Sequence, residues 1–312
     1  MSVSDEPIAT RPANISPYLV EADNTLITKR AAPFFDVPKV TRGTHPVDGG
    51  FLLLSDAERA EYIKKEPNGE KYIRRLIGAK ELLHNIKRWC FWLEDADPSE
   101  LRHLSLLRER IAKVREFRLA SSDAGTRRQA EHSHLFRTPS MQPESSYIAI
   151  PAHSSETRKY VPMAFFEPSI IAHNSIHILR GANLYHLGVL QSSMHIAWVR
   201  QVGGKLEARL RYSSDLVYNT FAWPESPSPQ DVQAVSDAAQ AVLEIRGRYP
   251  NASLADLYNP LAMPKDLLDV HKRLDKAVDR CYRRETFKTD SERLGFLFER
   301  YTAVTASEAK LP

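Results

Sequence analysis

Four charged residues at alternate positions, Lys205, Glu207, Arg209 and Arg211, raise the question of what this chain touches. In "KLEARLRY" they interleave with Leu206, Ala208, Leu210 and Tyr212, and a period of two is the pattern of a half-buried strand. The spacing predicts one strand over 205–212. Its apolar set would face a core, and its charged set would stand in a row about 7 Å apart on the other face. Chemically such a row is a comb of hydrogen-bonding groups. Arginine can hold guanine O6 and N7 bidentately, and glutamate can accept from cytosine N4. A charged outer face is equally what an ordinary antiparallel sheet shows to water, so the strand alone does not decide.

Other chemistry is sparse. The sequence has no glycine-rich dinucleotide or phosphate loop and no GxSxG. Asn14-Ile15-Ser16-Pro17-Tyr18 resembles the Asn-Pro-Pro-Tyr motif that grips a flipped adenine, but Ile15-Ser16 replaces its first proline and lengthens it. His132/His134 and His173/His177 have ligand-like spacings without a neighbouring cysteine or carboxylate set, so hydrogen-bonded histidines are expected and no metal is assigned. Glu156 and Arg158 read as a pair within a turn. No catalytic residue is assigned. Cys90 and Cys281 form neither a disulfide framework nor a zinc pattern, which suits a reducing cytoplasm.

The elements that must position the comb come next. The 312 residues, 42% hydrophobic and 26% charged, fit one large domain or two modest ones. No apolar run approaches the roughly 20 residues that span a bilayer, and "MSVSDEPIATRP" carries no secretory signal, so a cytoplasmic protein off the membrane is expected. The net charge of +4 is unevenly placed. Residues 71–211 hold 22 Lys/Arg against 13 Asp/Glu, whereas residues 229–312 balance at 13 against 13. The positive excess therefore surrounds the comb, where it would attract a polyanion.

Residues 1–40, rich in proline, read as an extended connector. Ser55 and Glu58 form a capping box for a helix in "DAERAEYIKKE". "GEKYIRRLIGAKELLHN" reads as mixed helix and turn, and "KRWCFWL" as a short strand. Ser99 is expected to cap one long helix, with Leu101, Leu104, Leu107, Ile111 and Val114 as its buried stripe. Short strands follow in "YIAIP", "KYVPMAFF", "SIIAH" and "SIHIL", then two helices ending at Gly203-Gly204. After Trp223-Pro224 and a linker all is helical, with Leu267, Val270, Leu274, Ala277, Val278 and Cys281 at helical spacing. The expectation is an α+β fold: a mixed or antiparallel sheet domain over 1–225, then a small all-α bundle over 226–312.

Several long blocks, in order, carry a resemblance. They include "NISPYLVEADNTLITKR", "VDGGFLLLS", "YIRRLIGAKELLHNIKRWCFWL", "IPAHSSETRKYVP", "GVLQSSMHIAWVRQVGGKLEARLRYSSDLVYNTFAWP" and "LADLYNPLAMPKDLLDVHKRLDKAVD". Together, from about residue 14 to about 305, they resemble the carboxyl-terminal half of the MmeI-like (Type IIL) restriction–modification proteins. That half comprises a target recognition domain and a helical tail, which follow a nuclease and an adenine-N6 methyltransferase. The resemblance implies a recognition module for double-stranded DNA that binds no cofactor itself, with S-adenosylmethionine belonging to upstream methyltransferase domains or to a partner chain. It implies base reading by Glu207, Arg209 and Arg211, with Lys205 in the same row, and by Asn174 and Ser175 in the "AHNS" turn. Two other functions stay open at this point: a complete methyltransferase, and a protein-interaction module docking on a separate methyltransferase chain.

Overall fold

The computed structural model describes residues 14–18, 24–137 and 145–308. The chain runs through β1 (Val40–Arg42), β2 (Leu53–Ser55), α1 (Asp56–Lys65), β3 (Ile73–Ile77), α2 (Ala79–His84) and β4 (Arg88–Phe91). Next come α3 (Pro98–Leu101), α4 (Ser105–Leu119), α5 (Ala124–Arg128), β5 (Tyr147–Pro151), β6 (His153–Ser155), β7 (Ala164–Phe166), β8 (Ile171–Ala172) and β9 (Ile176–Arg180). Helices α6 (Leu184–Leu190) and α7 (Ser193–Val202) lead into β10 (Gly204–Leu206) and β11 (Arg209–Arg211). The tail holds α8 (Pro229–Gly247), α9 (Leu254–Leu257), α10 (Lys265–Tyr282) and α11 (Asp290–Glu308). The fold is the expected α+β with a helical tail. Among the described residues no helix is long and apolar enough to cross a membrane.

Three small sheets organise the amino-terminal two thirds. One has the strand order β1-β9-β5-β7, a second β2-β4-β3-β8, and the third β10-β11-β6. Pairing is antiparallel except between β3 and β8. The sheet of β2, β4, β3 and β8 packs under α1 and α4 on a core of its own that includes Leu54, Leu76, Phe91, Leu107 and Val114. The larger core runs without a break from Ile148 and Leu179 through Trp198 and Trp223 to Val242, Leu274 and Leu297. The tail therefore shares its interior with the sheet domain.

Local chemistry explains most element ends. Ser55 and Glu58 cap α1 reciprocally, as expected. The segment 69–85 is not only helix and turn: Ile73–Ile77 is a strand, held by β4 on one side and β8 on the other. Ser99 does not cap one long helix. Asp97 caps the short α3 through the Ser99 amide, the chain breaks, and α4 starts at Ser105. The cap of α4 comes from far away in sequence. The buried Glu66 carboxylate accepts from the amides of Leu106 and Leu107 at 3.0 and 3.2 Å, and from Tyr62 Oη at 2.6 Å. Burial works to raise its pKa, and these donors with Ser105 bring it below the ordinary carboxylate value.

The seam between tail and sheet domain is polar and buried. Asp275, on α10, accepts from Tyr160 Oη at 2.7 Å and from the amide and hydroxyl of Ser193 at 2.7 and 2.8 Å. His271 stacks on Tyr160 with ring centroids 4.0 Å apart, and its Nε2 meets Tyr258 Oη at 2.8 Å. Arg246 donates to Tyr258 Oη and to the Met163 carbonyl, the latter at 2.7 Å. The connector closes on the other end of the tail: Tyr18 packs on Phe298, and Arg30 holds the Glu308 carboxylate through two bonds of 2.8 Å.

Candidate nucleic-acid interface

The residues expected to form one strand over 205–212 form a hairpin instead. β10 and β11 pair in the register Gly204↔Arg211, Lys205↔Leu210 and Leu206↔Arg209, joined by Glu207 and Ala208 alone. Glu207 has φ of 55°. In a two-residue hairpin turn, positive φ at the first central residue is the II′ pattern, a place glycine usually fills. The turn also changes which side chains share a face, because directly paired residues of an antiparallel ribbon point the same way. Arg209 and Arg211 stand on one face with Leu206. Lys205 stands on the other with Leu210 and pairs with Glu156 at 3.1 Å, so it does not join the arginine row. Leu210 and Tyr212 are buried as expected, whereas Leu206 is 48% exposed and Ala208 is exposed.

β6 completes the ribbon and sets its outer face. Arg209 lies opposite Ser155, and Arg211 opposite His153. Glu207 and Arg209 form an ion pair of 2.7 Å, both side chains largely in water. Arg211 makes no ion pair with a described carboxylate. His153 has its pKa lowered first by burial and then by Arg209, Arg211 and Arg42. Arg42 comes from β1, where it lies opposite His177, and its Nε donates to the Asn174 carbonyl at 2.8 Å. Three guanidinium groups from two distant segments thus bear electrostatically on one imidazole. Arg42 and His153 carried no sequence signal: β1 and β6 are three residues long, too short for a period to show.

The turn holding Asn174 and Ser175 sits one rung from this face. The Ser175 carbonyl accepts from Ala152 N at 3.0 Å, and the Ala152 carbonyl from Tyr212 N at 2.9 Å. The Ser175 hydroxyl is committed inward. It accepts from Ala79 N, at the start of α2, and meets His173 Nδ1, each at 2.9 Å. Because Ser175 N also donates to that Nδ1, the ring nitrogen is the acceptor and the hydroxyl the donor. The Asn174 side-chain amide has no hydrogen-bond partner among the described residues and is half-buried. The two histidines of ligand-like spacing part company. His177 Nε2 meets the Tyr212 carbonyl at 3.0 Å, while His173 stays with Ser175. Burial lowers both pKa values to about 4, so both rings are neutral near pH 7.

The outward set can therefore present five-donor guanidinium groups, one carboxylate acceptor and one imidazole to a groove. Such a set can also bind phosphate. What distinguishes reading from gripping is the acceptor, because a carboxylate is repelled by phosphate and has a use only at a base edge or an arginine.

Comparison with known proteins shows the family. Residues 21–225 match the family model described as MmeI, target recognition domain, and residues 227–308 match MmeI, C-terminal domain. The chain is similar to DNA methyltransferase A of Bacillus subtilis (strain 168), with 37% identity over 293 residues, covering 94% of this chain and 33% of that protein. It superposes on the structure of the Type IIL restriction-modification enzyme MmeI in complex with DNA with a TM-score of 0.91 and 43% identity. That match covers 96% of this chain and 40% of the enzyme. With two thirds of its length inside one family model and most of the remainder inside its companion, the chain belongs to the MmeI family and comprises the target recognition and C-terminal domains of that family.

Proposed function

We propose that this chain recognises a specific sequence in duplex DNA on behalf of an adenine-N6 methyltransferase of the restriction–modification type. Methyl transfer and any cleavage belong to domains or a chain beyond the residues given. The observation that carries this is the outward face of the β10-β11-β6 ribbon, where Arg209, Arg211 and His153 stand beside Glu207 with Arg42 close by. Free of DNA, Glu207 and Arg209 satisfy each other. Against a C·G pair the carboxylate would take the cytosine N4 donor and the guanidinium the guanine acceptors, exchanging one ion pair for two base contacts. Asn174 can supply both donor and acceptor to adenine from the neighbouring turn. Ser175 supports that turn and does not reach out of it.

On this reading S-adenosylmethionine is bound by other domains or by a partner chain. The segment resembling an adenine-gripping motif holds Tyr18, whose hydroxyl accepts from Ile27 N at 3.0 Å and whose ring lies on Phe298. Its role in this chain is to dock the connector on α11. A calorimetric titration of the chain with S-adenosylmethionine should give no heat of binding.

The test of base reading exchanges Glu207→Lys together with Arg209→Asp in a full-length relative. The exchange reverses the donor–acceptor order at constant charge. Methylated sites should then change at one base position. An unchanged site at ordinary activity would show that the ribbon reads nothing.

A further inference from the structure

The tail is electrically neutral in sequence, but the structure sorts its charges by direction. On α10 the carboxylates of Asp275 and Asp279 point inward and are buried, the first held by Tyr160 and Ser193, the second by Arg293 at 2.6 Å. The cations Lys272, Arg273, Lys276 and Arg280 point outward and are exposed. From residue 270 to the end of α10 no carboxylate faces water. Arg273, Lys276 and Arg280 line a cleft of about 460 Å³ whose floor is Ala234, Ala238 and Ala277. The acid on its wall is Asp231, 6% exposed, and Arg280 and Arg284 approach it at 3.7 and 3.5 Å.

An ordinary solvated helix face interleaves opposite charges at i,i+4, as α10 does in its first turn with Lys265 and Asp269 at 2.7 Å. Asp269 also faces Lys272 and Arg273, but past it the spacings 272/276, 273/276 and 276/280 set like charges beside each other, an arrangement that weakens a helix. The helix dipole favours cations only in the last turn, so it accounts for Arg280 and not for Arg273 or Lys276. A row that opposes helix stability is explained by a polyanion that neutralises it.

We infer that the outer face of α10, with Arg273, Lys276 and Arg280, is a second, sequence-independent contact for the DNA phosphate backbone. The inference rests on the proposed function, since it assumes that the molecule binds duplex DNA. Phosphate contacts fix register and orientation without carrying sequence information, so this face would grip while the ribbon reads.

The experiment uses the full 312-residue chain, a fluorescent duplex and a series of salt concentrations. Arg273→Gln with Lys276→Gln removes two cations that make no ion pair with a described carboxylate, and a melting temperature no lower than that of wild type confirms that the variant is folded. If each cation meets a phosphate, the slope of log K against log salt falls in magnitude by about 1.8. Affinity falls alike for all duplexes. Wild-type slope and affinity in the folded variant would overturn the inference while leaving the ribbon untouched. Normal DNA binding by the variant, coupled with lost retention on immobilised poly-glutamate, would assign the face to an acidic protein and overturn it too. Failure of wild-type chain to bind duplex even at low salt would sink the proposed function itself.

Discussion

At the seam of the tail, Asp275, Tyr160, His271, Tyr258 and Arg246 are buried and bonded to one another or to backbone. On the ribbon, Arg209 and Glu207 are mostly in water, and Arg211 has no described counter-charge. Both regions use the same residue types. At the seam the polar atoms have partners fixed by the fold, His271 Nδ1 excepted, so removing one strands the others in a place water cannot reach. On the ribbon nothing inside the molecule depends on the outward side chains. Burial and closure mark polar groups that hold a structure. Exposure without closure marks groups free to hold something else.

The largest effect that would sharpen this contrast is at Asp275. Replacing it by Ala leaves Tyr160 Oη and the Ser193 amide without their acceptor, which should cost about 3 kcal/mol in urea denaturation with DNA preference unchanged. A loss below about 1 kcal/mol would mean that the seam is not held this way. Arg211→Ala should do the reverse. Discrimination against the wrong base should drop by about 2 kcal/mol in competition binding, with stability within about 0.5 kcal/mol of wild type. A destabilised Arg211→Ala would break the comparison.

Acid tests the buried side again, more gently. Burial lowers the pKa of His177 to about 4 and that of His195 to about 3. A histidine lowered in this way binds fewer protons folded than unfolded. Its contribution is therefore complete above pH 6.5 and lost as pH falls toward the folded value. At pH 5.5, one unit below the unfolded pKa, His177 alone should withdraw about 1.4 kcal/mol relative to neutral pH. His177→Gln should flatten that part of the denaturation profile. The smallest effect is at the turn. Glu207→Gly removes a side chain from φ of 55° and should stabilise the chain by about 0.5 kcal/mol while loosening base preference. A loss of stability would mean that the Glu207–Arg209 pair holds the ribbon together.

The same contrast explains what could be read from the sequence. Where a signal is local, it was legible: the Ser55/Glu58 box, four of the five β strands from 147 to 180 (all but β6), and the stripe of Leu267, Val270, Leu274 and Val278. Where the partner is remote, it was not. Glu66 caps a helix about 40 residues further on, and β3 is a strand because β4 and β8 flank it. The site was half legible. Arg209 and Arg211 do share an outward face. The turn at Glu207-Ala208 broke the row silently, because neither residue has the turn chemistry that would announce it. Periodicity continued across the turn in the letters while the faces exchanged in space, and so Lys205 was placed on the wrong side.

That turn also decides which residues of β10 reach the outer face. β11 is anchored by Leu210 in the core and by its rungs to β6, so its outward arginines cannot slip. β10 is an edge strand fastened to β11 alone, and all three of its residues are exposed. A one-residue slip of β10 against β11 would bring Lys205 to the outer face in place of Gly204 and Leu206. One side of the ribbon's outer face is thus pinned to the core, and the other hangs on the register of a single exposed edge strand.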